Sequence, residues 1–137
     1  MLSIASATKI EQISQATDKR QGILDALGDI SGAEVLTDLV LVGTYIRDER
    51  RASGLILPQD HLKEDEFQGK VGLVVQRGPL AYGEWEDETD RGRNAQIGTW
   101  VVFAIKDTWP LQINGVACRV LPYEKIRMRV SDPKMVF

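Results

Sequence analysis

Apolar and polar positions follow two different periods along this chain, and the change falls near residue 37. Before it, Ile10, Ile13, Thr17, Leu24 and Leu27 recur at helical intervals. Thr8 and Glu11 have the spacing of a capping box ahead of that stretch, and Gly28 is a suitable stop. The pattern predicts one helix from about Lys9 to Leu27, with Gly22 as a weak point, followed by a short linker through Gly32. Its apolar face is narrow, which suits a helix lying on a larger body or fraying from it.

From Thr37 onward the pattern is that of strands. Leu39 to Ile46, Val71 to Val75 and Trp100 to Ile105 are rich in aliphatic and β-branched residues. Leu111 to Ile113 and Val116 to Leu121 flank Asn114-Gly115, a dipeptide suited to a type I′ hairpin because both turn residues need positive φ. Glu124 to Val130 alternates, with Ile126, Met128 and Val130 on one face and Lys125, Arg127 and Arg129 on the other. Short strands with no second helical pattern among them predict a mainly β fold, a small barrel in preference to a parallel sheet. The expected organisation is a helical extension and linker over 1–36 and a β-barrel domain over 37–137.

Two long connections interrupt the strands. Residues 47–68 are mostly charged and polar apart from one triplet, Leu55-Ile56-Leu57. Residues 78–96 carry Glu84, Glu86, Asp87, Glu88 and Asp90 around Tyr82 and Trp85. Loops longer than about 12–15 residues are uncommon in compact domains and are usually functional or disordered. A chain of 137 residues with two of them is expected to work through its loops. The aliphatic triplet either folds back as a short strand or serves as a plug for a partner's groove, with Ser53-Gly54 as hinge and Pro58 as stop.

Composition narrows the chemistry. Apolar residues are 43% and charged residues 27% of the chain, and the formal net charge is −3, so no basic field points to nucleic acid or to an anionic membrane. No apolar stretch approaches the ~20 residues needed to span a bilayer. Cys118 is the single cysteine, which excludes an internal disulfide and a thiolate zinc cluster and suggests a reducing, cytoplasmic setting. The single histidine, His61, sits among Asp60, Lys63 and Glu64 with no serine or cysteine placed beside it by a recognisable motif. The acidic stretch lacks the spacing of a calcium loop, and Gly69 to Gly78 lacks the lysine after its closing glycine and the helix start that a phosphate cradle requires. No catalytic residue, metal site or cofactor is therefore expected.

The order of pieces resembles the chaperonin-10 family, the GroES-like co-chaperonins. Ser53-Gly54-Leu55-Ile56-Leu57-Pro58 is similar to that family's mobile-loop motif, Gly-Gly-Ile-Val-Leu-Pro. Gly69 to Val75 resembles its Gly-Glu-Val-Val-Ala-Val strand, and Ile97-Gly98-Thr99-Trp100-Val101-Val102-Phe103 its Val-Gly-Asp-x-Val-x-Phe. Ile113-Asn114-Gly115, Cys118 to Ile126 and Thr37 to Val42 match further family segments in order, so that the resemblance spans 37–130. It departs from the family in the N-terminal 37 residues, in Ser53 and in the long acidic segment, as a divergent virus-encoded relative would.

The resemblance implies a GroES-like barrel that forms a ring, a heptamer in the family, and caps a GroEL-like chaperonin. That partner, not this chain, would bind and hydrolyse ATP. Leu55, Ile56 and Leu57, with Ser53, Gly54 and Pro58, would then contact the partner. Tyr82 and Trp85 would belong to a roof loop. Leu39, Val40 and Leu41 of one subunit would meet Ile126, Met128 and Val130 of its neighbour, because the family pairs first and last barrel strands. The alternative is a structural protein, part of a viral particle or another assembly, that reuses the barrel as a clamp. The setting would then be a host cytoplasm or a virion.

Overall fold

The computed structural model describes residues 9–46, 70–81 and 95–136. Ser53 to Pro58, His61, Tyr82, Trp85 and the acidic residues from Glu84 to Asp90 lie outside the described residues, as do Thr8 and the side chains of Ile10 and Glu11.

Two helices, α1 (Lys9–Gln15) and α2 (Lys19–Leu27), stand where one was expected. The break has a local cause. Asp18 takes extended dihedrals and its carboxylate accepts from the backbone N–H groups of Arg20 and Gln21, so it starts a new helix as an N-cap. Lys19 then folds back, and its buried ammonium donates to the carbonyls of Ile13, at 3.0 Å, and Ser14 at the end of α1. Gly22 is a point of close approach between the helices: a Cβ there would stand 2.5 Å from that of Ala16. The break also shifts the helical phase. Ile13, Ile23, Ala26 and Leu27 are buried, whereas Leu24 and Thr17, expected on the apolar face, are exposed. Gly28 stops α2 as expected, at φ 65° with its N–H donating to the Leu24 carbonyl.

The remainder is mainly β. Strands β1 (Leu39–Thr44), β2 (Val71–Arg77), β3 (Trp100–Phe103), β4 (Trp109–Ile113), β5 (Val116–Pro122) and β6 (Ile126–Val130) form one antiparallel sheet in the order β4-β5-β1-β2-β3-β6. Asn114 (φ 50°) and Gly115 (φ 80°) make the β4–β5 turn in the conformation their types suit.

Chain connectivity bends this sheet. β5 and β6 stand four places apart in the order, which in a flat sheet is about 19 Å. Tyr123–Lys125 alone connects them, and four Cα steps from Pro122 to Ile126 reach at most about 14 Å. The sheet is therefore curled. The connection from β3 to β4, through residues 104–108, crosses the same interval. Among the described residues no ladder joins β4 to β6, and both are edges of an unclosed sheet.

Each face of the curled sheet has its own apolar cluster. The outer face contributes Leu41, Leu73, Trp100 and Cys118 to a cluster shared with Ile13, Ile23, Ala26 and Leu27 of the helices. The other gathers Val40, Val42, Val74, Val101, Phe103 and Leu121 from four strands. Gly43 lets α2 lie directly on β1, since a Cβ there would stand 2.6 Å from Ile23 Cγ2. Lys9 Nζ donates to the Ala26 carbonyl, and Asn114 Nδ2 in the hairpin turn donates to that of Leu27, at 2.6 and 2.7 Å. Gln76 Nε2 on β2 donates to the Ala33 carbonyl in the linker, at 3.1 Å. Residues 9–36 are thus tied to the sheet through side chains as well as apolar contact.

Burial of Ile13, Ile23 and Leu27 alone contributes roughly 5–9 kcal/mol before entropy is subtracted, comparable to the whole stability of a typical domain. Truncation before residue 37 is expected to expose the outer cluster and abolish cooperative thermal unfolding, as circular dichroism would report. A truncated chain with an unchanged melting transition would contradict this packing.

Candidate partner-binding site

The described residues hold the roots of both long connections. β1 runs directly into the first root. Tyr45 and Ile46 are buried there, the Tyr45 N–H donates to the Val71 carbonyl at 3.0 Å, and the Tyr45 ring meets Trp100 edge-on with centroids 5.6 Å apart. On the returning side, the Lys70 carbonyl accepts from Phe103 N–H at 3.0 Å.

The second root follows β2. Gly78 N–H donates to the Leu39 carbonyl at 2.7 Å and Leu80 N–H to that of Thr37 at 2.8 Å. Gly78 is required by this approach: a Cβ would stand 2.3 Å from Thr37 O. Ala81 and Ala95, on the two sides of the root, are both buried in the inner cluster. Leu36, Leu80 and Ile97 are exposed around it. Since β1, β2 and β3 form an antiparallel meander, the two roots lie at opposite ends of β2, separated by about 23 Å of strand.

The expected subunit contacts separate in the structure. Leu39, Val40 and Leu41 belong to β1, which pairs with β5 on one side and β2 on the other. Neither side of β1 is left for another strand. β6 does lie on an edge, but Ile126, Met128 and Val130 do not share one face. A register shift between Val102 and Phe103 leaves Arg127 as an extra residue in β6. Ile126 therefore packs on the inner cluster and Val130 on the outer one, while Met128 is 54% exposed.

The two edges differ in what they offer. The two-residue turn makes Ile113 and Val116 a hydrogen-bonded pair, so Trp109, Leu111 and Ile113 point their backbone groups toward β5. Pro110 and Gln112 face outward, and proline has no N–H to give. Strand β4 is a blunted edge, although it exposes 75% of Trp109. Strand β6 has no proline and carries the exposed cations Arg127 and Arg129, with Lys125 in the turn before it.

A polar cluster not anticipated from sequence spans the gap between the two halves of the sheet. Arg119 on β5 is 2% exposed, and its Nη1 donates to Thr108 Oγ1 at 3.0 Å. Burial lowers its pKa from the ordinary guanidinium range. Thr108 Oγ1 donates in turn to the Ile105 carbonyl at 2.7 Å, and Arg127 on β6 lies 3.6 Å from Asp107. The sequence signal was a charged residue breaking an otherwise apolar stretch, Val116 to Leu121.

Burial pushes the Cys118 thiol up to about 12, which keeps it protonated and unsuited to nucleophilic chemistry. Among the described residues no group of three or more His, Cys, Asp or Glu side chains could hold a metal, and no helix is long and apolar enough to cross a membrane. A cleft of about 330 Å³ between 17–20 and 131–134, floored by Trp100, has Asp18 and Asp132 on its walls, both occupied as helix caps. No protein-family model matches the chain, and no curated protein sequence matches it.

Two outcomes test this account. Pro110→Thr restores an outward N–H on β4 and is expected to increase concentration-dependent self-association, measured by sedimentation velocity; unchanged behaviour would mean that β4 is blocked by something else. Cys118 is expected to resist alkylation in the native state. Its raised pKa also means that stability is full below about pH 9 and is lost progressively as pH rises toward 12, because the unfolded thiol ionises first. Rapid labelling of the folded protein at neutral pH would contradict its burial.

Proposed function

We propose that this chain is a co-chaperonin subunit: a GroES-like barrel that assembles into a ring and caps an ATP-driven, GroEL-like chaperonin. Leu55, Ile56 and Leu57 would dock in the partner's groove, with Ser53 and Gly54 as hinge and Pro58 as stop. The observation that supports this most is the anchoring of two long segments at opposite ends of one short, firmly paired sheet. A capping subunit needs that polarity: one end engages the partner, and the other, with Tyr82 and Trp85, faces the enclosed space or neighbouring copies. The curl imposed by the β5–β6 connection supports a barrel-like body, and the segment with the aliphatic triplet departs from the end opposite the acidic one.

The energetics suit a cap that must come off. Each fully buried aliphatic side chain contributes about 1.5–3 kcal/mol, so one triplet gives several kcal/mol before the ordering of a long segment is subtracted. One copy binds weakly. A ring of copies binds by avidity and releases when the partner changes shape. Residues 9–36 lie on the sheet, so they are neither the dispensable extension that a co-chaperonin would tolerate losing nor the free tether that a static clamp in an assembly would use.

Co-sedimentation with a GroEL-type chaperonin from the natural host, with and without ATP, tests the proposal. Wild-type protein is expected to sediment with the chaperonin only when nucleotide is present, and Leu55→Ser/Ile56→Ser/Leu57→Ser protein to stay in the supernatant. Absence of binding by the wild type overturns the co-chaperonin reading. Binding that ignores both nucleotide and triplet would favour the structural clamp.

A further inference from the structure

We propose that Asn114 is a modification site, where spontaneous loss of the side-chain ammonia leaves aspartate or isoaspartate and unfastens α2 from the β4–β5 hairpin. The reaction needs only this chain and water. The Gly115 backbone nitrogen, once its proton has left, attacks Asn114 Cγ. A new N–C bond closes an imide ring as the Cγ–Nδ2 bond breaks and ammonia departs. Water then opens the ring at either carbonyl. One product is aspartate with the original backbone, and the other is isoaspartate, with the backbone rerouted through Cβ and Cγ. Nothing is oxidised or reduced.

Sequence and exposure both single out this residue. The asparagines of the chain are Asn94 and Asn114, and of these Asn114 alone precedes glycine. Glycine has no Cβ to shield its nitrogen and can take up the backbone angles that ring closure requires. Asn114 and Gly115 are both exposed, so base and water reach them.

The consequence follows from what Asn114 holds. Its Nδ2 donates to the Leu27 carbonyl at 2.7 Å and to that of Asp29 at 3.4 Å. Lys9 reaches the same place: its Nζ donates to the Ala26 carbonyl at 2.6 Å, and a Cβ on Gly115 would stand 3.3 Å from its Cγ. The hairpin turn, Lys9 and the last turn of α2 therefore meet at one point. The final carbonyls of a helix have no partner within it, and Asn114 supplies one. Aspartate would replace that donor with an acceptor-only carboxylate facing two carbonyl oxygens, at the negative end of the helix dipole. Isoaspartate would do more. Its extra backbone atom does not fit a two-residue turn that keeps Ile113 paired with Val116.

The same hydrogen bonds restrain the reaction. While Nδ2 is held on Leu27 and Asp29, Cγ cannot turn toward the Gly115 nitrogen, so the tip must open first. Modification and detachment thus favour one another, and loss of ammonia makes the change one-way.

Peptide mapping by mass spectrometry, before and after incubation of the full-length chain at mildly alkaline pH, tests the chemistry. Aspartate and isoaspartate are expected to accumulate at position 114, and faster in Lys9→Ala protein, whose fastening is weaker. Thermal melts followed by circular dichroism test the consequence. Asn114→Asp is expected to melt on the order of 3 °C below Asn114→Gly. Asp-Gly and Gly-Gly both suit this turn, so the carboxylate is what separates the two variants. Hydrogen exchange at the Gly28 N–H, which closes α2 on the Leu24 carbonyl, is expected to be faster in Asn114→Asp than in Asn114→Gly. An intact Asn114 after incubation, a rate indifferent to Lys9→Ala, or an Asn114→Asp chain that melts with Asn114→Gly overturns the proposal.

Discussion

Three residues, Tyr123 to Lys125, constrain this molecule more than any apolar contact does. They join strands that are four places apart in one sheet, and a flat sheet cannot satisfy so short a connection. The curl that results gathers Val40, Val42, Val74, Val101, Phe103 and Leu121 into one inner cluster, although they come from four different strands. It also brings β5 and β6 close to the crossing connection after β3, where Arg119, Thr108, Asp107 and Arg127 make the polar contacts. Buried polar groups are costly when unpaired, so this cluster restricts how the two halves of the sheet can meet.

The outer face has a different solution. A curled antiparallel sheet has two apolar faces here, and the convex one needs a cover. The two short helices provide it, fitted by glycine at Gly22 and Gly43, where a methyl group would collide. Backbone carbonyls at the helix ends accept from Lys9, Lys19 and Asn114 in place of water. Residues 9–36 are consequently part of the same packed body as the strands.

Strand pairing between β1, β2 and β3 sets the roots of the two long segments at opposite ends of β2. Proline on one edge and cations on the other give the sheet two unlike sides. A subunit with unlike poles and unlike edges is suited to directional assembly, the property on which the proposed ring and cap both depend.

Strand identity was legible in the sequence because it depends on neighbours a few residues away. Aliphatic and β-branched runs marked β1, β2 and β3, alternation marked β6, and Asn114-Gly115 marked the β4–β5 hairpin, since positive φ is a local requirement. The mainly β class followed. Gly28 also marked the end of α2 by local chemistry. What failed was whatever depends on distant partners. The break at Asp18 was hidden because either phase leaves apolar residues at helical spacing, and only packing on β1 selects Ile23 and Ala26 over Leu24. The extra residue at Arg127 was hidden in a perfect alternation, because a bulge is a property of the pairing with β3 and not of β6 alone. Likewise the resemblance assigned Leu39 to Leu41 to a contact between subunits, whereas sheet order puts β1 between β5 and β2. The aliphatic triplet and the acidic stretch were visible as sequence from the start. Tertiary structure decided where their roots stand, because strand order, unlike strand identity, is set by contacts between residues far apart in the chain.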